Sequence, residues 1–104
     1  MKSYLQEMIL LRNDPTRIPE IRALAMQGDP DARYCMGLIH AEGRGVPIDL
    51  ARAHYWLSLA IAQGDRDAEV LRNIVGSQMS DEEYAEAKRL RDGPELLLVS
   101  SGSD

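Results

Sequence analysis

Phenylalanine is absent from this 104-residue chain, and only one tryptophan and four tyrosines are present. Core filling therefore falls to Leu, Ile, Val, Met and Ala. A single cysteine, Cys35, excludes an internal disulfide. A reducing compartment is the simple inference. No run approaches the roughly 20 apolar residues that a membrane span needs. The N-terminal stretch is interrupted by Gln6 and Glu7, and no small-residue cleavage site follows. It does not read as a signal peptide, and the expectation is a cytoplasmic protein.

Positive charge is also in deficit. Twelve Lys and Arg stand against seventeen Asp and Glu, a formal net charge of −5. Nucleic acid demands a basic face that displaces counterions, so it is not expected as a partner. An anionic membrane surface is disfavoured for the same reason. The arginines are scattered, with Asp or Glu near most of them. Hydrophobic residues at 44% and charged residues at 28% are ordinary for a soluble domain. A chain of this length forms one domain and buries about 60–70% of its unfolded surface.

What is present is a phrase that nearly repeats. Gln27-Gly28-Asp29-Pro30-Asp31-Ala32-Arg33 returns 36 residues later as Gln63-Gly64-Asp65-Arg66-Asp67-Ala68-Glu69, with five of seven positions identical. A period in the range of about 20–50 residues marks stacked supersecondary units. The default reading moves from enzyme to interaction scaffold.

Apolar spacing gives six short helices. The first covers Tyr4 to Leu11, and Asn13-Asp14-Pro15-Thr16 turns the chain. The second runs from about Ile18 to Gln27, with Pro19 in its first turn and Ile21, Leu24 and Ala25 buried. Gly28 takes the left-handed stop and Asp29-Pro30 restarts the chain as N-cap and first helical residue. The third helix reaches about Ala41, with Ala32, Cys35, Met36 and Ile39 on one stripe. Gly43-Arg44-Gly45-Val46-Pro47 is a loop that no helix crosses, and Asp49 is the next N-cap.

The fourth helix, about Leu50 to Gln63, reads as the longest, with Ala53, Trp56, Leu57 and Ala60 inward. A fifth carries Ala68, Leu71 and Val75. Ser80-Asp81-Glu82-Glu83 is a capping box for a sixth, with Tyr84, Ala87 and Leu90 inward and Gly93-Pro94 as its stop. No segment alternates with period two. The fold class is all-α, an array of helix hairpins. The helical domain is expected over residues 1–93, with an apolar, flexible tail over 94–104.

These residues resemble the Sel-one-like repeat, a relative of the tetratricopeptide repeat. Its pattern of Ala, Gly and Ala, then Leu-Gly-x-x-Tyr-x-x-Gly-x-Gly-Val, then Asp, Lys-Ala-x-x-Trp and Ala-Ala-x-x-Gly, falls on Ala25 to Gly64. The match runs through Ala25, Gly28, Ala32, Met36, Gly37, His40, Gly43, Gly45, Val46, Asp49, Arg52, Ala53, Trp56, Ala60, Ile61 and Gly64. The departures are Met36 for Leu, His40 for Tyr, Arg52 for Lys and Ile61 for Ala. Degenerate units flank this best match. The resemblance implies an α-solenoid of about three antiparallel hairpins in a right-handed superhelix.

Small residues where helices cross explain Ala32, Gly37, Ala53 and Ala60 without chemistry. Trp56 fills the gap such crossings leave, which is the bland alternative to a ligand platform. His40 stands at the family's tyrosine position, so a packed imidazole is the default. A metal held by Cys35, His40 and Glu42 lacks ligands and helical register. There is no Walker loop, no zinc-protease His-Glu-x-x-His, no Gly-x-Ser-x-Gly elbow and no Ser-x-x-Lys. Neither enzyme chemistry nor a cofactor is expected.

By the resemblance, the first helix of each hairpin lines a concave face that holds a partner protein or peptide. Tyr34, Leu38 and Ala41 then point inward, with Val70 and Ile74 one period later. The competing reading makes these residues plain core. A partner of basic character would suit the acidic balance. A small inhibitor of the immunity type, or an uncharacterised enzyme, is the alternative. Leu96-Leu97-Leu98-Val99 is too apolar to be left in water. It is expected to dock in its own groove or in that of a second copy, giving a homodimer; a disordered interaction tail competes.

Overall fold

Four of the five α-helices begin where a short acidic or hydroxyl side chain replaces a missing backbone partner, as does the 3₁₀ turn ahead of them. The computed structural model describes the backbone of residues 14–103 and the side chains of residues 14–92. Asp14 accepts from the Thr16 amide (3.1 Å) and hydroxyl (2.7 Å), which closes a 3₁₀ turn over Pro15–Arg17. Five α-helices follow: α1 (Ile18–Met26), α2 (Pro30–Glu42), α3 (Leu50–Ala62), α4 (Arg66–Ser77) and α5 (Asp81–Ser103). No strand occurs among the described residues. The expected helix over Tyr4 to Leu11 lies outside them.

Three of the five N-termini carry the same aspartate cap. Asp29, Asp49 and Asp65 each accept from the amide three residues on, at 3.0 to 3.1 Å. Such a cap contributes about 1 kcal/mol. The capping box ahead of α5 is complete: the Glu83 amide donates to Ser80 Oγ and the Ser80 amide to Glu83 Oε1. The two glycines of the repeated phrase, Gly28 and Gly64, take φ values of 104° and 93°. That left-handed region is open to glycine and costly for other residues, so both stops are local in origin.

The helices pack on one another around α3, which contacts α2, α4 and α5, while α1 rests on α2. Two apolar clusters form. The first joins Ile18, Ile21 and Ala25 of α1 to Ala32, Cys35, Met36 and Ile39 of α2 and Trp56 of α3. The second joins Ala53, Leu57 and Ala60 of α3 to Ala68 and Val75 of α4. Trp56 and Leu57 are adjacent in sequence, and the 100° step of a helix sends them into different clusters. The stripes read for α2 and α3 are buried as expected.

The two copies of the repeated phrase touch. Gln63 Nε2 donates to the Gly28 carbonyl at 2.6 Å, and Gln63 Oε1 accepts from Arg33 Nη1 at 3.0 Å. Arg33 Nε in turn donates to the Ala25 carbonyl at 2.9 Å. Residues 35 positions apart are thereby tied at the same end of the bundle.

Three expectations are corrected. The helix α5 is the longest at 23 residues, against 13 for α3. It also runs through Gly93-Pro94 rather than stopping there. Proline in a helix interior costs about 3 kcal/mol, through one lost bond and a ring clash. Glu95 and the leucines beyond are strong helix formers, and the backbone resumes the same helix past the defect. Finally, Tyr84 is 44% exposed rather than inward. Its hydroxyl donates across to the Gly76 carbonyl of α4 at 2.9 Å. Ala87 is buried and Leu90 half-buried on that helix, as expected. The side chains of residues 93–103 lie outside the described residues, and with them the docking of Leu96, Leu97, Leu98 and Val99.

The helix α2 lies close against α3 at Gly37. A methyl group there would lie 2.6 Å from Cγ and Cδ2 of Leu57. Gly37→Ala gains about 1 kcal/mol of helix propensity and loses about 1–3 kcal/mol to overpacking. A net destabilisation in urea unfolding is expected. Removing Leu57 as well should relieve the clash. The double variant Gly37→Ala/Leu57→Ala should therefore be less destabilised than the sum of the single variants. Strict additivity would show that the two positions do not meet.

Candidate functional site

Two surfaces of the helix stack offer binding chemistry. The first is made by α2 and α4. Tyr34 and Ala41 are half-buried and pack against the second cluster, to which Ala68 and Val75 of α4 belong. That cluster therefore joins the two helices from beneath. Leu38, one turn from Tyr34, is half-buried. Val70 and Ile74 are 63% and 52% exposed, one turn apart on one side of α4. Apolar side chains of this size standing together in water mark a contact surface more often than a core.

The second surface is made by α1, α3 and α5, and the sequence reading missed it. A cleft of about 560 Å³ opens between α3 and α5, with Arg72 of α4 at its edge. Tyr55, Leu59 and Ala87 supply apolar wall, and Lys88 and Arg91 of α5 reach its rim. His54 lies in the wall with its ring edge-to-face on Tyr84, centroids 5.4 Å apart. Its Nδ1 is 3.5 Å from Ser58 Oγ. Burial pushes the His54 ring below its ordinary 6.5, and the positive charges of Arg72 and Arg91 push it the same way. No carboxylate lines the cleft. Neither Arg72 nor Lys88 has a carboxylate at ion-pair distance among the described residues; Arg91 Nε meets its neighbour Asp92 at 3.1 Å.

A second, smaller cleft of about 380 Å³ adjoins the first and shares Tyr55. Arg22, Arg52, His40 and Trp56 line it. Arg52 meets the N-cap carboxylate of Asp49 at 3.3 Å. His40 is buried, and its Nδ1 has no hydrogen-bond partner among the described residues. Desolvation holds the ring below its ordinary 6.5; Asp49 opposes that shift, and Arg52 and Arg22 add to it. Among the described residues no three His, Cys, Asp or Glu side chains converge on a metal-sized space.

Comparison with known proteins adds one relative. The chain is similar to the alginate biosynthesis protein AlgK of Azotobacter vinelandii, 27% identical over 73 residues. The match takes in 70% of this chain and 16% of that protein, so the chain spans a small part of its relative. No protein-family model matches the chain, and no solved structure matches it. No helix among the described residues is long and apolar enough to cross a membrane.

Buried His40 and half-buried His54 give stability a pH dependence. A ring whose folded pKa lies below 6.5 resists protonation in the fold and accepts it on unfolding. Its stabilising contribution is complete above 6.5 and falls as pH drops through that value towards the folded pKa. His54 acts in the same direction but is more exposed and better screened. Between pH 7 and 5, His40→Gln should lose less stability than the unchanged protein, as read by urea midpoints. Parallel losses would show that His40 is not the titrating group.

Proposed function

We propose that this chain is a Sel-one-like repeat array of about three helix hairpins, and that it works as a protein-interaction module. Its partner is a protein or peptide held against α2 and α4, on Tyr34, Leu38, Ala41, Val70 and Ile74. The observation that carries this reading is the exposed pair Val70 and Ile74, one turn apart on the helix that begins the second copy of the repeated phrase. Neither residue fills the core, and both leave large apolar surface in water. The chain is also similar over 73 residues to the alginate biosynthesis protein AlgK. The module acts by presenting surface and needs no catalytic step or cofactor. An inhibitor of one target would use the same face, and is distinguished by a tight one-to-one complex.

The test keeps the fold and removes the apolar surface. Val70→Glu/Ile74→Glu places two carboxylates at exposed positions, so helicity and melting temperature should change little. The tagged protein, purified from its native host, should bring down a partner that the double variant does not. Burying a carboxylate at such a contact costs several kcal/mol, enough to reduce binding by about a hundredfold or more. An unchanged set of partners with the variant would remove α2 and α4 as the binding face.

A further inference from the structure

We infer that the paired clefts along α1, α3 and α5 bind an acidic segment of a partner protein. This goes beyond the reading above, because it uses other residues and the opposite chemistry. The chain as a whole carries a formal charge of −5, yet the larger cleft is edged by Arg72, Lys88 and Arg91 and lined by no carboxylate. Cations gathered in a partly enclosed space on an acidic protein repel one another, and low-dielectric walls strengthen that repulsion. The fold tolerates this arrangement, and an anion in the cleft would relieve it. Arg72 and Lys88 have no carboxylate at ion-pair distance among the described residues.

The shape favours a peptide over a small anion. The second cleft also carries cations, Arg22 and Arg52, with His40 in its lining; Arg52 there is met by Asp49 at 3.3 Å. The two clefts share Tyr55 but no cation, so the cationic positions are spread over both rather than gathered in one. An extended chain with acidic side chains matches cations spread in this way, and apolar wall such as Leu59, Ala87 and Trp56 can receive the side chains between them. Arginine binds carboxylates through two parallel hydrogen bonds, which adds geometry to charge.

Hexaglutamate is the probe, followed by NMR of the full-length protein at low salt. A protein of net charge −5 repels this peptide everywhere except at a local basic site, so nonspecific binding works against the signal. Saturable shifts at His54, Arg72 and Arg91 are expected. The bound carboxylates should also raise the His54 pKa, since they offset the two arginines that lower it. In Arg72→Ser/Arg91→Ser, checked to melt as the unchanged protein does, affinity should fall about tenfold or more. In Val70→Glu/Ile74→Glu it should not fall comparably, which separates this site from the α2 and α4 face. Absence of saturable shifts, or shifts that survive the arginine substitutions, would overturn the assignment. Inorganic phosphate binding at the same residues with equal affinity would overturn the peptide in favour of a small anion.

Discussion

The helix α3 is the wall on which everything else leans. Both apolar clusters draw on it, one through Trp56 and the other through Ala53, Leu57 and Ala60. A helix buried on two sides needs small residues where neighbours cross and large ones where they part. Here Gly37 of α2 lies against Leu57, and Trp56 fills the opposite flank. Loss of either large side chain would open a cavity shared between helices, at a cost of about 2–5 kcal/mol. The absence of phenylalanine makes that cost harder to offset, because few bulky residues remain to repack.

Committing α3 to both cores decides what the other helices expose. Its contact with α4 takes Ala68 and Val75 inward and leaves Val70 and Ile74 outside. Its contact with α5 buries Ala87 and brings Lys88 and Arg91 around to His54. The apolar face and the cationic clefts thus follow from the same packing arrangement. The tie from Gln63 to Gly28 and Arg33 holds the two copies of the repeated phrase in register at one end.

Much of this was legible in the sequence, and the physical reason is locality. Asp29, Asp49, Asp65 and Ser80 act on amides three residues away, so their roles can be read from neighbours alone. The stripes on α2 and α3 follow from helical spacing. Local rules failed where tertiary partners compete. Gly93-Pro94 reads as a stop, yet α5 continues because strong helix formers stand on both sides. Tyr84 fits an inward stripe, yet its hydroxyl finds the Gly76 carbonyl at the surface. The clefts were invisible for another reason. Arg22, Arg52, Arg72, Lys88 and Arg91 come from four helices, and each has an acidic residue nearby along the chain. Arg52 and Arg91 still meet such neighbours, Asp49 and Asp92, and only packing brings the five cations to two clefts that share Tyr55.

The central claim is that partner binding belongs to the face made by α2 and α4. Site-specific photo-crosslinking in the native host tests it most directly. A benzophenone side chain at position 38, 70 or 74 should trap a partner protein, whereas the same group at exposed Glu20 or Arg89 should not. Adducts at the first three positions alone would establish the face. No adduct there, or adducts only with a second copy of this chain, would contradict the account.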